Sequence, residues 1–344
     1  MHRFLISWIG FFVLLSPSDC LSESTSRDSF QWEGTKITEF IGKETEVVIP
    51  DGTTAIGEMA FLNCKTLTSV VIPGSVTEME RYVFMGCCSL TSVTILEGLK
   101  KIGESAFDEC ENLSSIVIPE SVTEIGECAF RGCESLKSVV IPRNVTVIGE
   151  AAFGGCSSLT SFTIPEKVTV IEDSVFNECT SLKSVTIPEG VTRIEMWAFQ
   201  KCESLTSIVI PKGVEEIDYQ AFKDCKALKT VVIPESVKEI GRGAFEGCVS
   251  LTSIVIPKGV KEIWFEAFKG CISLTSIVIP EGVEMLESGL FKGCKALKTV
   301  VVPGSVEDIF DDTFEDCPNV TIHAPAGSEA EKFAKEKKIP FQAK

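Results

Sequence analysis

The stretch CESLTSIVIPKGVEEIDYQAFKDC, residues 202–225, contains the unit from which almost all of the 344-residue chain is built. Counting from Cys202 as zero, leucine stands at +3, isoleucine at +6, +8 and +15, proline at +9, valine at +12, alanine at +19 and phenylalanine at +20. The cysteine returns, without insertion or deletion, at positions 64, 87, 110, 133, 156, 179, 202, 225, 248, 271, 294 and 317. Such a strict repeat predicts a solenoid, in which each rung contacts only its neighbours.

The first half of the unit has the alternation of a β-strand. Side chains on a strand point to opposite sides in turn, so Ile208 and Ile210 are predicted to face inward. Ser207 and Val209 are predicted to face outward. The proline at +9 has no N–H to donate and is predicted to end the strand. Parallel strands of successive rungs pair about 4.8 Å apart, so the stack is expected to extend over ~55 Å.

The second half of the unit returns to the core in two short steps. Val214 and Ile217 are predicted to lie inward on a second extended piece, and Ala221 and Phe222 to lie in a short helical turn. A rung buries these side chains only because its neighbours cover both of its sides. The predicted fold is an α/β solenoid with a parallel β-sheet on one face, short strands and helical turns on the others, and a cap at each end.

The two ends of the chain depart from the repeat. Phe4–Leu15 is an apolar run of 12 residues after Arg3, which is too short to span a bilayer and is typical of a secretory signal. Ser328 and Glu331 have the spacing of a helix capping box. The predicted organisation is a signal peptide at 1–20, a linker at 21–29, a hairpin-like N-terminal cap at 30–49, a solenoid of twelve rungs plus a partial rung at 50–322, and a C-terminal capping helix and tail at 323–344.

Composition excludes several classes of protein and partner. The chain has 44% hydrophobic residues, spread evenly, which excludes a disordered chain. Its formal net charge of −17 argues against nucleic acid and anionic membrane surfaces, because both would repel it. After the signal segment we find no run long and apolar enough for a membrane helix, so membrane insertion is not expected. We therefore expect an extracellular protein, secreted or associated with the cell surface.

No pattern in the sequence is typical of an active site or a metal site. Beyond the signal segment the one histidine is His323, and the serines that recur at +5 have no histidine beside them to activate them. Cysteines 23 residues apart do not form the close pairs of a zinc site, and the acidic residues of 307–316 lack the spacing of a calcium loop. Catalysis, a metal and a cofactor are therefore not predicted.

The cysteines and three asparagines admit more than one interpretation. Cysteines of adjacent rungs fall within the Cα distance of a disulfide, but their side chains should point in parallel into the core. We interpret them as a ladder of buried thiols, with Cys88 and Cys128, which lie off the ladder, more exposed. Asn112, Asn144 and Asn319 begin glycosylation triplets, which matter only in a eukaryotic source.

The unit C-x-x-L-x-x-[VI]-x-I-P-x-x-V-x-x-I-x-x-x-A-F-x-x-C resembles the BspA-like (Treponema pallidum type) leucine-rich repeat over about residues 36–341. The ending GSEAEKFAKEKKIPF, residues 327–341, is similar to a terminal helix common in that family. Departures are small, such as Leu96 in place of proline and Val83 and Val175 in place of alanine. The resemblance implies a curved leucine-rich repeat fold on secreted or surface proteins, and members implicated in function tend to be adhesins for host matrix proteins or other cells.

The outward side of the strands is the first candidate binding surface. The +5 column is serine or threonine, and the +7 column alternates valine and threonine along the chain. Its candidate residues are Ser207, Val209, Thr230, Val232, Ser253 and Val255. Two interpretations stay open: this uncharged, β-branched surface docks a protein through many weak contacts, or it only reflects strand propensity.

Aromatic residues at +16 to +18, where most rungs are polar, form the second candidate surface. They are Trp197, Tyr219, Trp264 and Phe265. Grouped exposed aromatic rings can anchor a partner. The simpler interpretation is that they fold over the flank and pack on neighbouring turns.

The sequence thus predicts a secreted or cell-surface leucine-rich repeat protein that binds protein partners (host matrix or cell-surface proteins) or glycans, in adhesion. The alternative is a structural or scaffold component of the cell surface without a specific ligand. Saturable capture of a partner favours the first, and self-assembly without capture favours the second.

Overall fold

The structure, a computed structural model, describes residues 24–344, and the predicted signal peptide at 1–20 lies outside the described residues. The first strand of most rungs, in which side chains alternate between outward and inward positions, belongs to a parallel arrangement that we call the main sheet. Its strands are Glu46–Val48, Ser69–Ile72, Ser92–Ile95 and Ser115–Val117; Ser161–Thr163 and Ser184–Thr186; Ser207–Val209 and Thr230–Val232; and Ser276–Val278, Thr299–Val301, Thr321–Ala324 and Phe341–Ala343. The corresponding residues 138–140 and 253–255 form no strand.

A second set of shorter parallel strands, which we call the second sheet, follows the proline of each rung. It begins with an antiparallel hairpin, Phe30–Glu33 and Lys36–Phe40. The strands that follow are Ala55–Ile56 and Glu78–Met79; Lys101–Ile102, Glu124–Ile125 and Val147–Ile148; Val170–Ile171, Arg193–Ile194, Glu216–Ile217, Glu239–Ile240 and Glu262–Ile263; and Met285–Leu286 and Asp308–Ile309. The expected second extended piece of the rung is therefore present.

The pairing register follows the period of the sequence. Ile208 lies opposite Val231, and Ile217 opposite Ile240, so each residue pairs with the one 23 positions later. The last rung differs, because Thr299 pairs with Thr321, one residue short of the period. Since side chains alternate along a strand, this register keeps every inward position aligned with inward positions above and below it.

The expected helical turns at +19 and +20 are wrong, and with them the α/β description of the rungs. In the described residues the helical elements are a 3-10 turn, Arg27–Ser29, and one α-helix, Glu329–Lys337. Residues +18 and +22 adopt left-handed backbone angles instead, for example Gln220 (φ 51°) and Asp224 (φ 57°), which a right-handed helix cannot include. The Phe222 N–H donates to the Ala244 carbonyl of the next rung at 2.9 Å, so this side of the stack is a third ladder of hydrogen bonds between rungs.

The core is a set of columns, one for each inward repeat position. Leu205, Ile217 and Phe222 have no exposed surface. The phenylalanine rings stack along the solenoid, with the Phe199 and Phe222 centroids 5.3 Å apart and the rings nearly parallel at 2°. Burying a side chain of this size contributes on the order of 1.5–3 kcal/mol, and each rung contributes several of them.

Each cysteine of the ladder from Cys87 to Cys317 carries a free, buried thiol. Its Sγ donates to the carbonyl of the phenylalanine 26 residues earlier, as Cys225 does to Phe199 at 3.2 Å. Burial raises the pKa of these thiols, to about 12 for Cys110. The interpretation of the ladder as buried thiols is confirmed, and Cys88 and Cys128 are only half-buried, as expected.

The chain ends pack against the outermost rungs. Thr25, within the predicted linker, exchanges backbone and side-chain hydrogen bonds with Val48, so the linker is attached to the main sheet from there onward. Phe40 of the hairpin stacks on Phe61 at 5.0 Å. At the other end Phe333 of the helix lies 6.1 Å from Phe314. The capping role of the two ends stays a prediction.

Among residues 24–344, none of the helices has the length and apolar character to cross a membrane.

Candidate binding surfaces

The outward valines of the main sheet form an exposed apolar column. On four consecutive rungs Val209, Val232, Val255 and Val278 are 63%, 57%, 78% and 58% exposed, whereas their neighbour Ile208 is 3% exposed. Ser207 pairs with Thr230, and both are exposed, so a hydroxyl column runs beside the valines. The sheet thus presents a strip of β-branched and hydroxyl side chains, with the exposed Lys229 at its margin beside Thr230.

The strip is less regular than the sequence predicts. Residues 253–255 form no strand, and Ser253 makes only an isolated bridge to Ser276. Val255 is also the most exposed of the four valines. The segment SIVIP at 253–257 is identical to SIVIP at 207–211, so no local sequence signal marks the interruption.

The first two candidate aromatic residues form a pair. The rings of Trp197 and Tyr219 meet edge to face with centroids 5.4 Å apart, and the Trp197 indole N–H donates to Gln220 at 3.0 Å. The guanidinium of Arg242 lies 6.0 Å from the centre of the Tyr219 ring. The rung of Arg242 has no aromatic residue at +16 to +18, and it contributes this cation beside the Trp197–Tyr219 pair. These rings pack on neighbouring turns.

The other two candidate aromatic residues belong to a second group, which has a member that the sequence analysis missed. Phe265 lies 6.2 Å from Trp264 and 6.5 Å from Phe310, and it is 36% exposed. Phe310 is 38% exposed. It stands at +16, the position of Trp264 two rungs earlier, and comparing rungs at that position would have found it. The two aromatic groups remain separate, and the second sheet lies between them and the valine strip along each rung.

A polar notch, of about 590 Å³, is a further feature that the sequence analysis did not identify. Gly154 and Gly155 are among its lining residues, and Gly154 stands at +21, where the other rungs carry longer side chains. On one side Arg131 makes two hydrogen bonds, of 2.9 and 2.6 Å, to the buried carboxylate of Asp108, and these bonds raise the pKa of the guanidinium. On the other side the Oδ1 atom of Asn177 is buried without a hydrogen-bond partner among the described residues.

Metal-ligating side chains are not gathered anywhere in residues 24–344, where no group of three or more His, Cys, Asp or Glu residues has the geometry to hold an ion. His323 lies on the strand Thr321–Ala324 and pairs with Val301.

Three comparisons relate the chain to known proteins. A model of the BspA type leucine rich repeat region, which spans six copies, matches residues 39–159, 100–229 and 196–321. None of the curated proteins compared with the chain matches it significantly.

Solved structures resemble the chain over nearly its whole length. A leucine-rich repeat protein from Bacteroides ovatus is 26% identical, with a TM-score of 0.62 over 95% of this chain and 100% of that one. A leucine rich cell surface protein from Faecalibacterium prausnitzii is 29% identical, with a TM-score of 0.53 over 91% of this chain and 97% of that one. With the parallel solenoid and its repeat of 23 residues, these matches place the chain in the BspA-type leucine-rich repeat family.

Proposed function

We propose that this protein is an extracellular binding protein, secreted or held at a cell surface, that attaches to host matrix or cell-surface proteins through the valine strip of the main sheet. The observation that carries the proposal is the exposure of Val209, Val232, Val255 and Val278, which lie in one line and are each more than half exposed. The similarity to a protein described as a leucine rich cell surface protein supports the location.

Physical chemistry favours a protein as the partner for this strip. Burying exposed apolar surface contributes about 25 cal/mol per Å², and a strip that runs over four rungs matches an extended protein surface and not a small molecule. Uncharged hydroxyls beside the valines supply hydrogen bonds without the desolvation penalty of an ion pair. The column of four valines gives several weak contacts that add up along the solenoid.

The test is a double variant, Val232→Lys with Val255→Lys. It should abolish saturable capture of immobilised matrix proteins or whole cells, because two lysines add charge and bulk to the strip. Val147→Lys is the matched control, since Val147 is 43% exposed but belongs to the second sheet. Both proteins should melt at the temperature of the unaltered chain. Capture that survives in the double variant would refute the strip as the binding surface.

Two other functions, a scaffold role and glycan recognition, would give different results. Self-assembly of the purified chain without capture of any partner would favour a structural or scaffold component of the cell surface. Saturable binding to a glycan array would favour glycan recognition, for which the polar notch beside Arg131 offers carboxylates, an amide and hydroxyls. Ser157→Trp, which places a large side chain in that notch, should abolish glycan binding and leave protein capture unchanged.

A further inference from the structure

One position of the repeat brings a carboxylate between two aromatic residues. Trp264, Glu287 and Phe310 all stand at +16, on three successive rungs. Phe265 and Phe310 belong to the outer two of these rungs, and their rings approach each other to 6.5 Å. They meet across the rung that carries Glu287, where the following residue is the small Ser288. A titratable group is thus enclosed by aromatic residues on an otherwise hydrophilic flank.

A cavity of about 490 Å³ opens beside this column. Its lining includes Lys261, Glu262, Trp264, Glu284, Met285 and Glu287. The volume lies within the range of sites that enclose a small ligand or one large side chain. An indole and a thioether supply apolar walls, and three carboxylates face one ammonium group, which leaves a net charge of −2 at neutral pH (one minus three).

One carboxylate oxygen of the half-buried Glu287 lacks a hydrogen-bond partner. Its Oε2 atom is buried and accepts no hydrogen bond from any described residue. Burial raises the pKa of this carboxyl group. A buried oxygen without a donor costs free energy, and a donor brought by a ligand would recover it.

Trp264 is held in place for such a ligand. Its indole N–H donates to a carboxylate oxygen of Glu239 on the preceding rung, so the ring is fixed before anything binds. A cation near the face of an indole is attracted by the ring, and tryptophan is the best of the aromatic side chains for this contact. Met285, which is 40% exposed, offers a contact for the aliphatic stem of a long basic side chain.

We propose that the cavity beside Trp264 binds a basic side chain, arginine or lysine, of a protein partner. The guanidinium or ammonium group pairs with Glu287 and lies against the indole, and the stem packs on Met285. The net charge of −17 attracts basic partners to the chain in general, and this cavity gives one cation a defined place. The inference rests on the proposed role in protein binding, and it adds an anchor on a different side of the rung from the valine strip.

The test uses a probe that needs no identified partner. Acetyl-Gly-Arg-Gly-amide is titrated into the unaltered chain, and the indole N–H signals of the 15N-tryptophan-labelled protein are followed by NMR. The Trp264 signal should shift saturably, with a dissociation constant on the order of 1 mM for a single side chain, and the Trp197 signal should not move. The same peptide with citrulline in place of arginine should bind at least about tenfold more weakly, since it lacks the charge.

Two variants separate this site from general attraction to an acidic surface. Glu287→Gln should weaken binding of the arginine peptide about tenfold, because the charge-assisted hydrogen bond is lost. Glu195→Gln is the matched control. Glu195 also stands at +16, and burial also raises its pKa, but the adjacent rungs carry Glu172 and Asp218 at +16 and no tryptophan. It should bind like the unaltered chain.

The outcomes distinguish this inference from the proposed function. Equal binding of the arginine and citrulline peptides, or equal loss in the two variants, would overturn the cation site. That result would leave capture through the valine strip intact. Peptide binding that depends on Glu287, in a chain that captures no protein, would uphold the site and refute the proposed function instead.

Discussion

The inward phenylalanine column and the outward valine column run through the same rungs with the same period, but only the valine column is exposed to solvent. Phe222 lies between Phe199 and Phe245, with ring centroids 5.3 and 5.4 Å away, and is fully buried. Val209 of the same rung is 63% exposed. Both columns are apolar and regular, and they differ in which side of the chain they occupy. A regular apolar column therefore does not by itself identify the core, and each column is expected to respond to a different measurement.

The largest difference is expected in stability. Phe222→Ala should lower the free energy of unfolding by about 3–5 kcal/mol, because it removes a large side chain and leaves a cavity that neighbouring rungs cannot fill. Val209→Ala should change it by less than about 0.5 kcal/mol. Denaturant unfolding followed by circular dichroism measures both. Similar losses in the two variants would mean that the exposed strip is part of the stabilising core.

A smaller loss is expected at the cysteine ladder. Cys225→Ala removes the Sγ–H bond to the Phe199 carbonyl, which then keeps only the bond from the Cys202 N–H. Together with the small void, this should lower the free energy of unfolding by about 1–2 kcal/mol. Cys88→Ala, off the ladder and half-buried, is the matched control and should be close to neutral. A neutral Cys225→Ala would show that the thiol hydrogen bond contributes nothing.

The same contrast should appear in thiol chemistry without any mutation. In the native protein at pH 8, iodoacetamide should modify Cys88 well before Cys225, because Cys225 is fully buried and burial raises the pKa of its thiol. Modification of the ladder should require local opening of the rungs. Peptide mapping by mass spectrometry after timed quenching gives both rates. Comparable rates would contradict a closed ladder.

The smallest effect concerns the carboxylates on the flank of the second sheet. Burial raises the pKa of Glu195, Glu216 and Glu287 in the folded protein. The folded state then binds more protons than the unfolded state just above the ordinary glutamate pKa, so stability rises as the pH falls from neutral towards the raised pKa values. The hydrogen bond from Lys36 lowers the pKa of Glu80, whose stabilisation is present above the ordinary value and lost as the pH falls below it. Melting temperatures should therefore pass through a maximum at mildly acidic pH, and a monotonic fall from pH 7.5 would contradict this.

The sequence predicted the columns well because a strict period leaves few choices. Leu205, Ile217 and Phe222 were expected inward from their spacing alone, and all are fully buried. The thiol ladder was expected too, but not its bond to a carbonyl of the preceding turn, which depends on how far adjacent rungs are offset. Period and alternation fix which residues face inward, and they do not fix hydrogen bonds between rungs.

Three features of the structure differ from the sequence-based predictions: the turn at +19 and +20, the interruption of the main sheet at 253–255, and the position of Phe310. The helical turn failed because Ala221 and Phe222 suit a helix, whereas the left-handed residues at +18 and +22 flank them and exclude one. The frequent Gly, Asn and Asp at +22 were a usable signal for that geometry. The interruption at 253–255 has the same letters as its regular neighbours. Phe310 was not among the candidates because the rung of Glu287, which has no aromatic residue at +16 to +18, separates it from Trp264 and Phe265 in the sequence.

The register of the solenoid also makes it a molecular ruler. Between the N-terminal hairpin and the last rung the pairings advance by the full period, so the gain or loss of one whole unit there leaves all three hydrogen-bond ladders intact. Such an event would move everything on one side of it by a single step of about 4.8 Å and rotate no side chain from core to solvent. The distance between the Trp197–Tyr219 pair and the cavity beside Trp264, which lie on different rungs, can therefore change in evolution, or by design, only in multiples of one rung. The number of rungs between two binding sites can therefore set the size of the partner that contacts both.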